Sequence, residues 1–112
     1  MESKTQHDLI VTIVNKGDAE KVVDASRKAG AEGGTILLGR GTGIHEQTRL
    51  FGIIIEPQKD VVLTLVKRSI SEQVLEAIVA RTELNKPGRG IAYVIPVERV
   101  AGITHLISKD EG

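Results

Sequence analysis

The sequence predicts one α+β domain whose elements follow the order β-α-β-β-α-β. Short β-branched apolar runs occur at residues 9–14, 61–66 and 91–95, and their length and composition are those of buried strands. Two longer stretches between these runs carry apolar residues at helical spacing, and glycine or proline separates the segments. A chain of 112 residues fits a single domain, so residues 1–112 are assigned to one unit.

The first half of the chain predicts a strand, a helix and a second strand. Residues 9–14 (LIVTIV) are continuously apolar, as in a central strand that is covered on both faces. Asp18 is a favourable N-cap residue, and Gly30 is typical of the position just after a helix. The helix between them is expected to bury the face that carries residues 19, 22, 23, 26 and 29. Residues 35–38 (TILL) predict the second strand.

The second half of the chain repeats this pattern. Residues 61–66 (VVLTLV) predict the third strand, and Ser69 with Glu72 forms a capping-box pattern at the start of the second helix. The apolar stripe of that helix is expected at residues 70, 74, 75, 78 and 79. Residues 91–95 (IAYVI) predict the last strand, and the proline that follows limits its further pairing. Residues 97–107 fit either a tail or a further strand.

This order of elements is typical of the ferredoxin-like fold, a four-stranded antiparallel sheet with two helices on one face. Residues 1–8 are polar and predict a flexible lead-in. Residues 44–60 do not fit a single element and predict a long loop, and loops of that length in a compact domain are usually functional or disordered. The fold by itself assigns no function, because many functions share it.

The composition excludes several classes of function. Lys and Arg together number 15, as do Asp and Glu, and there are only two aromatic residues. This argues against nucleic-acid binding, which uses basic surfaces and stacked rings. The absence of cysteine excludes disulfides and thiolate metal sites, and the three histidines lack metal-ligand spacing. No apolar run approaches the roughly 20 residues of a membrane span, and the N-terminus is not signal-like, which predicts a cytoplasmic protein without membrane insertion.

Two glycine-rich loops are the candidate ligand-binding elements. One, residues 39–43, follows the second strand, and the other, residues 85–90, precedes the last strand. Clustered glycines let backbone N–H groups converge on an anion, and Arg40, Lys86 and Arg89 add positive charge suited to phosphate or carboxylate. Each loop also fits an ordinary turn, and neither has the spacing of a Walker loop or a dinucleotide fingerprint.

The long loop is the candidate partner-binding element. Its candidate contact residues are His45, Arg49 and Phe51. An aromatic residue in a polar loop either packs against its own domain or is offered to a partner. The sequence leaves both interpretations of Phe51 open.

Residues 88–100 (GRGIAYVIPVERV) resemble the signature of the PII family of nitrogen regulators, with its Gly-x-Gly turn, a strand ending in Val-x-x-Val and an Arg-Val pair. Residues 30–43 (GAEGGTILLGRGTG) resemble the stretch that leads into the family's signalling loop, the T-loop. The likeness covers about residues 8–108. It implies a homotrimer that binds an adenine nucleotide in clefts between subunits. It also implies regulation without catalysis, through a T-loop at about residues 44–60, of a metabolic enzyme or membrane transporter in nitrogen control.

The resemblance carries the family's nucleotide contacts to particular positions of this chain. Together with the cations of the two loops, the candidate ligand-binding residues are Thr35, Arg40, Gly41, Thr42, Gly43, Leu65, Lys86, Gly88, Arg89 and Gly90. Ile91, Gly102 and Thr104 stand where the family has a phosphate-binding lysine and two later basic residues. Because fewer cations are left to hold a polyphosphate, AMP, ADP or a cyclic nucleotide is expected to be preferred over ATP. No covalently bound cofactor is expected, and the shortened loop has no tyrosine for the family's uridylylation.

Two other functions share this topology and remain as alternatives. A small enzyme such as an acylphosphatase would need an arginine-bearing anion cradle after the first strand, whereas residues 15–18 (NKGD) contain no arginine. A structural or RNA-binding module would need the exposed aromatic residues or positive charge that this composition lacks.

Overall fold

The structure is a computed structural model, which describes residues 6–41 and 48–102. Its helices are α1 (Ala19–Lys28) and α2 (Arg68–Thr82). Its strands are β1 (His7–Asn15), β2 (Thr35–Arg40), β3 (Thr48–Leu50), β4 (Ile53–Ile55), β5 (Gln58–Lys67) and β6 (Gly90–Val97).

Four of the strands form one antiparallel sheet in the order β2-β5-β1-β6. The central strand β1 pairs with β5 from His7 opposite Lys67 to Asn15 opposite Lys59, and with β6 along its other edge. Both helices contact this sheet and each other. The predicted ferredoxin-like fold is therefore confirmed. Between β2 and β5 the chain adds a small hairpin, in which β3 pairs with β4.

The hydrophobic core lies between the helices and one face of the sheet, which we call the covered face. Its fully or almost fully buried aliphatic side chains are Ile10, Val14, Val22, Val62, Val66, Val74 and Ile78. Burial of one such side chain contributes roughly 1.5–3 kcal/mol. Two threonines of this face, Thr12 and Thr64, are also fully buried, and their hydroxyl oxygens have no hydrogen-bond partner among the described residues.

The opposite side of the sheet, which we call the open face, is also apolar. The strand register places these residues on it: Leu9, Val11, Ile13, Leu37, Val61, Leu63, Leu65, Ile91, Tyr93 and Ile95. Leu37, Ile91, Tyr93 and Ile95 are exposed. The prediction that residues 9–14 are buried on both faces is therefore confirmed for the covered face, whereas on the open face Val11 is buried and Leu9 and Ile13 are only partly buried.

The start of α1 differs from the expectation for Asp18. Asp18 occupies the N-cap position, but its side chain makes no capping hydrogen bond and instead pairs with Lys21 at 3.5 Å. The cap comes from β5, because one carboxylate oxygen of Asp60, Oδ2, accepts the N–H groups of Gly17 and Ala19 at 2.9 and 3.2 Å. A carboxylate from a distant strand thus stabilises the positive end of this helix.

The predicted capping box of the second helix is wrong. The helix begins at Arg68, directly after β5, with Lys67 as N-cap residue and no side-chain cap, so Ser69 lies inside its first turn. Arg68 fixes this start by binding the beginning of β1. Its backbone N–H donates to the carbonyl oxygen of Gln6 at 2.8 Å, and its Nε donates to Oδ1 of Asp8 at 2.9 Å.

Several strand boundaries also differ from the sequence-based ones. β5 starts at Gln58, so the last three residues of the predicted loop 44–60 belong to the sheet. His7 and Asp8 are buried in β1, so the flexible lead-in predicted for residues 1–8 is wrong at its end. β6 runs through Pro96, which is compatible with an edge strand. Residues 98–102 form no strand, and the rest of the predicted tail lies outside the described residues.

Candidate ligand-binding site

The two glycine-rich loops lie at the same end of the sheet. In the register, Gly39 at the end of β2 is opposite Lys59 at the start of β5, and Lys59 is also opposite Asn15 at the end of β1. Gly90 at the start of β6 is opposite Val14. The structure therefore brings Gly39, at the start of the first loop, and Gly90, at the end of the second loop, to the same end of the sheet. Thr42 and Gly43 of the first loop lie outside the described residues, as does His45.

A series of hydrogen bonds runs across this end of the sheet and connects the two loop regions. Nζ of Lys59 donates to Oδ1 of Asn15 at 2.9 Å, and Nδ2 of Asn15 donates to the carbonyl oxygen of Gly88 at 2.9 Å. Lys59 is only 7% exposed, so it provides a buried positive charge at this end of the sheet. Asn15 therefore links β5, which follows the long loop, to the second glycine loop.

Sequence reasoning missed both of these residues. Asn15 was interpreted only as the end of a strand, and Lys59 only as a loop residue. A signal for Lys59 was present, because the alternation of residues 59, 61, 63 and 65 extends the third strand on one face. The contact between Lys59 and Asn15 itself joins positions 44 residues apart, which local patterns do not indicate.

The long loop is closed at its base and contains a tight hairpin. The N–H of Gly41 donates to the carbonyl oxygen of Pro57 at 3.2 Å, just outside the last pair of the β2–β5 ladder. Further out, Phe51 and Gly52 connect β3 to β4 with φ angles of 52° and 80°, the two positive values of a type I′ turn. Arg49 lies in β3 opposite Ile54.

The side chain of Phe51 is exposed at the tip of this hairpin. Its side chain is 94% exposed, so among the described residues it does not pack against its own domain. A positive φ is unusual for a bulky residue, and asparagine would suit this position of the turn better. The turn therefore presents an aromatic ring to solvent in a backbone conformation that does not favour it.

The second glycine loop begins with an unusual helix end. Glu83, the C-cap residue of α2, has the left-handed conformation with φ 56° and ψ 42°. Its carboxylate contacts Nζ of Lys86 at 3.1 Å and Nη2 of Arg89 at 3.4 Å. The hydrogen bond from Lys86, followed by the positive charges of Lys86 and Arg89, lowers the pKa of the Glu83 carboxyl below its ordinary value. Of the three cations predicted to bind an anion, the two in the second loop thus already contact an anionic group of the chain.

The glycines of the two loops are not equivalent. At Gly90 a Cβ atom would collide with the carbonyl oxygen of Ile13, and φ is 142°, so glycine is required for β6 to approach β1. At Gly88 and Gly41 a Cβ atom would meet no atom of the described residues within 4 Å. Gly88 has a positive φ of 77°, whereas Gly41 has no such restriction. Space for a ligand is therefore present at Gly41 and Gly88.

A cavity of about 360 Å³ lies beside the first glycine loop. Arg40 lines it, as do Lys16, Leu38, Gly39, Gln58, Lys59 and Asp60. Three of these side chains are cationic and one is anionic, and Asp60 already caps α1. The cavity can accept a small anion next to Arg40.

Thr35 and Leu65 lie far from the glycine loops. Thr35 begins β2, five residues before Arg40, and Leu65 lies six residues after Lys59 in β5. At about 3.3 Å per residue, these separations are roughly 16 and 20 Å. Leu65 lines a separate cavity of about 280 Å³ near the end of α1. One subunit therefore does not bring Thr35 and Leu65 together with the other predicted contacts.

Other kinds of site find no support in the part of the chain that the structure describes. Within residues 6–41 and 48–102, no three side chains of His, Cys, Asp or Glu are grouped so that they could hold a metal ion. Of the two helices found there, neither has the length and apolar character needed to cross a membrane.

Comparison with known proteins decides the family. Residues 7–105 match the family described as "Nitrogen regulatory protein P-II". The chain belongs to the P-II family. The crystal structure of Arabidopsis thaliana PII bound to citrate has the same fold, with a TM-score of 0.69, 23% sequence identity, and coverage of 89% of this chain and 85% of that chain. No curated protein sequence matches the chain at a significant level. P-II proteins are regulatory signalling proteins, and this chain belongs to that group.

Proposed function

We propose that the protein is a regulator without catalytic activity, which binds a small anionic effector between subunits and reports it to a partner protein through the long loop. The observation that carries the proposal is the division of the candidate contacts between two ends of one sheet. Gly41 and Gly88 lie at the loop end, whereas Thr35 and Leu65 lie roughly 16–20 Å away. A complete site forms only when the loop end of one subunit meets the far end of its neighbour.

The proposed assembly is the homotrimer that the family resemblance implies. The open face supports an assembly, because Leu37, Ile91, Tyr93 and Ile95 leave apolar surface exposed in a single subunit. Contiguous exposed apolar surface of this kind marks protein interfaces. A subunit of only 112 residues also gains core by burying it.

The proposed effector is an adenine nucleotide with few phosphates, AMP, ADP or a cyclic nucleotide rather than ATP. Open space at Gly41 and Gly88 leaves room for a phosphate at the backbone N–H groups of the loops. Arg40, beside the first loop, has its guanidinium available near the 360 Å³ cavity. Ile91 lies on the open face and supplies no charge, so few cations remain for a triphosphate.

The proposed signalling element is the loop between Gly41 and Pro57. The exposed ring of Phe51 is the proposed anchor for a partner, because aromatic side chains dominate the energetics of many interfaces. His45 and Arg49 stay as proposed contacts beside it. The partner is a cytoplasmic metabolic enzyme or a membrane transporter, and nitrogen status is the proposed signal.

Calorimetry and light scattering together test this proposal. We expect a mass of three times the 12.1 kDa chain and tighter binding of AMP, ADP or cyclic AMP than of ATP. Gly41→Glu should abolish binding by placing a carboxylate in the open space of the first loop, while the trimer persists. Lys28→Gln makes the same change in net charge on α1, at a side chain that is 78% exposed, and should bind normally. A monomer at micromolar concentration, or a trimer that binds no nucleotide, would refute the proposal.

Limited trypsin digestion tests the role of the loop. Cleavage should occur first after Arg49, and a bound nucleotide should slow it because the loop base forms one wall of the site. Lys59 should resist cleavage in both states, since it lies in β5 and is buried. Equal cleavage rates after Arg49 with saturating ligand and without it would contradict signalling through this loop.

A further inference from the structure

Glu83 occupies a position that is unfavourable for glutamate in two ways. Its backbone is left-handed, a conformation that suits glycine or asparagine at the end of a helix. Its carboxylate also lies at the negative end of the α2 dipole, where cations are favoured and anions are not. Residues held in unfavourable conformations cluster at functional sites, so the retention of a carboxylate here calls for a reason other than helix termination.

The contacts of the Glu83 carboxylate supply that reason. One oxygen receives Nζ of Lys86 at 3.1 Å, and the other lies 3.4 Å from Nη2 of Arg89. The backbone N–H of Lys86 also donates to the carbonyl oxygen of Glu83 at 3.0 Å. These contacts hold both cations of the second glycine loop on one anionic group, three and six residues before them in the chain.

All three side chains remain accessible to solvent. The side chains of Glu83, Lys86 and Arg89 are 46%, 63% and 43% exposed. Exposed ion pairs of this kind are weak and exchange partners readily. A phosphate that enters the loop at Gly88 therefore competes with Glu83 for the same two cations.

We infer that Glu83 determines ligand selectivity by acting as an internal competitor that occupies Lys86 and Arg89 and repels highly charged ligands. The inference rests on the proposed nucleotide site and deepens it. With Glu83 ionised, the cluster carries one net positive charge instead of two, and a negative charge faces the incoming phosphates. Coulomb repulsion grows with ligand charge, so Glu83 weakens ATP binding more than AMP binding.

A purely structural role for Glu83 makes a different prediction. If the carboxylate only stabilises the turn after α2, its replacement changes the stability of the protein and affects all nucleotides alike. Glu83→Gln separates the two roles, because the amide keeps the size of the side chain and one acceptor oxygen but removes its charge. The lowered pKa of Glu83 keeps it ionised at neutral pH, so the substitution removes a full charge there.

The test compares the binding of AMP and ATP to the assembled wild-type, Glu83→Gln and Glu72→Gln proteins. Glu72 lies on the same helix eleven residues earlier, about 16 Å along the axis, and its removal is a matched change in net charge beyond the screening length. We expect Glu83→Gln to raise the ATP-to-AMP affinity ratio about five- to twentyfold at about 0.1 M ionic strength, where the screening length is about 10 Å. Glu72→Gln should leave the ratio unchanged, and the gain of Glu83→Gln should shrink at high salt.

Several outcomes distinguish failure of the inference from failure of the proposed function. A Glu83→Gln protein that binds ATP no more tightly than wild type overturns the inference, whether or not the wild type binds nucleotides. An equal gain for AMP and ATP, or an equal gain in Glu72→Gln, also overturns it. Failure of the wild-type protein to bind any adenine nucleotide refutes the proposed effector instead. A gain for ATP confined to Glu83→Gln supports the inference even in that case, since it shows that Glu83 excludes the polyphosphate.

Discussion

The two faces of the sheet are built from the same strands and the same residue types, yet only one is covered within the subunit. In β5, Val62 is fully buried beneath the helices, while its neighbour Val61 lies on the open face and is only partly buried. The difference shows that apolar composition alone does not indicate which face of a strand the helices of the same chain cover.

The largest expected effect, loss of assembly, comes from placing a charged side chain on the open face of the sheet. Ile95 and Ile36 both lie on edge strands, and both are 44% exposed. Ile95 lies on the open face of the sheet, whereas Ile36 lies on the covered face. Ile95→Lys should break the assembly, because an interface cannot bury an unpaired ammonium group without a large cost. Its mass by light scattering should fall to the 12.1 kDa of one chain.

Ile36→Lys is the matched control and should remain assembled. Both variants should keep the circular dichroism spectrum of the folded protein, since neither residue is in the buried core. Assembly of Ile95→Lys at wild-type strength would show that the open face is not the subunit interface.

The next largest effect concerns the glycines at the loop end of the sheet. Gly90→Ala should destabilise the protein by about 3 kcal/mol or more, because the new Cβ would collide with the carbonyl oxygen of Ile13 at a positive φ. Gly41→Ala should change the free energy of unfolding by less than about 1 kcal/mol, since its Cβ would meet nothing within 4 Å. Denaturant titration measures both. A well-folded Gly90→Ala protein would mean that β6 can shift away from β1.

A smaller effect compares two valines that are neighbours in the sequence. Val62→Ala should lower the free energy of unfolding by about 2 kcal/mol at any protein concentration, because it leaves a cavity inside the subunit core. Val61→Ala should have an effect that depends on protein concentration, because the proposed assembly makes its open-face contacts between subunits. Thermal unfolding across a hundredfold range of concentration distinguishes them. Parallel concentration dependence for the two variants would contradict this assignment of the faces.

The smallest effect lies within the covered face. Thr64→Val should raise the free energy of unfolding by about 1 kcal/mol, because it removes a buried hydroxyl that has no partner among the described residues. Thr82→Val is the control with the opposite sign. The Thr82 hydroxyl donates to the carbonyl oxygen of Ile78 at 2.7 Å, and its loss should cost about 1 kcal/mol. Destabilisation by Thr64→Val would show that its hydroxyl has a partner in the assembled protein.

The sequence predicted the fold from features that are local. Residues 9–14, 61–66 and 91–95 lie within the strands β1, β5 and β6 because their β-branched runs suit a sheet regardless of distant contacts. The helix starts were predicted less well. α1 is capped by Asp60, which lies 41 residues beyond Ala19. The start of α2 is fixed by Asp8 of the first strand and by Gln6, which directly precedes that strand.

The candidate site shows the same limit. The glycine loops were found from the sequence because glycine clusters are visible locally, and the structure brings Gly41 and Gly88 to one edge of the sheet. Asn15 and Lys59, which join them, were missed because their contact depends on sheet register. Glu83 was missed because a left-handed glutamate at a helix end runs against local preference, so no pattern predicts it.

Because the long loop is closed at Gly41 and Pro57, the segment between these residues can be replaced by another sequence. The β2–β5 ladder holds the two ends of the loop together, and the Gly41–Pro57 hydrogen bond adds a further contact between them. These contacts offset the entropy cost of closing the loop, regardless of the sequence between Gly41 and Pro57. That cost rises only slowly with loop length, by about 0.6 kcal/mol for each doubling. A heterologous recognition segment grafted between these two residues would leave the folding of the sheet nearly untouched. The same arrangement would let the sequence of the loop vary in evolution without compensating changes in the sheet.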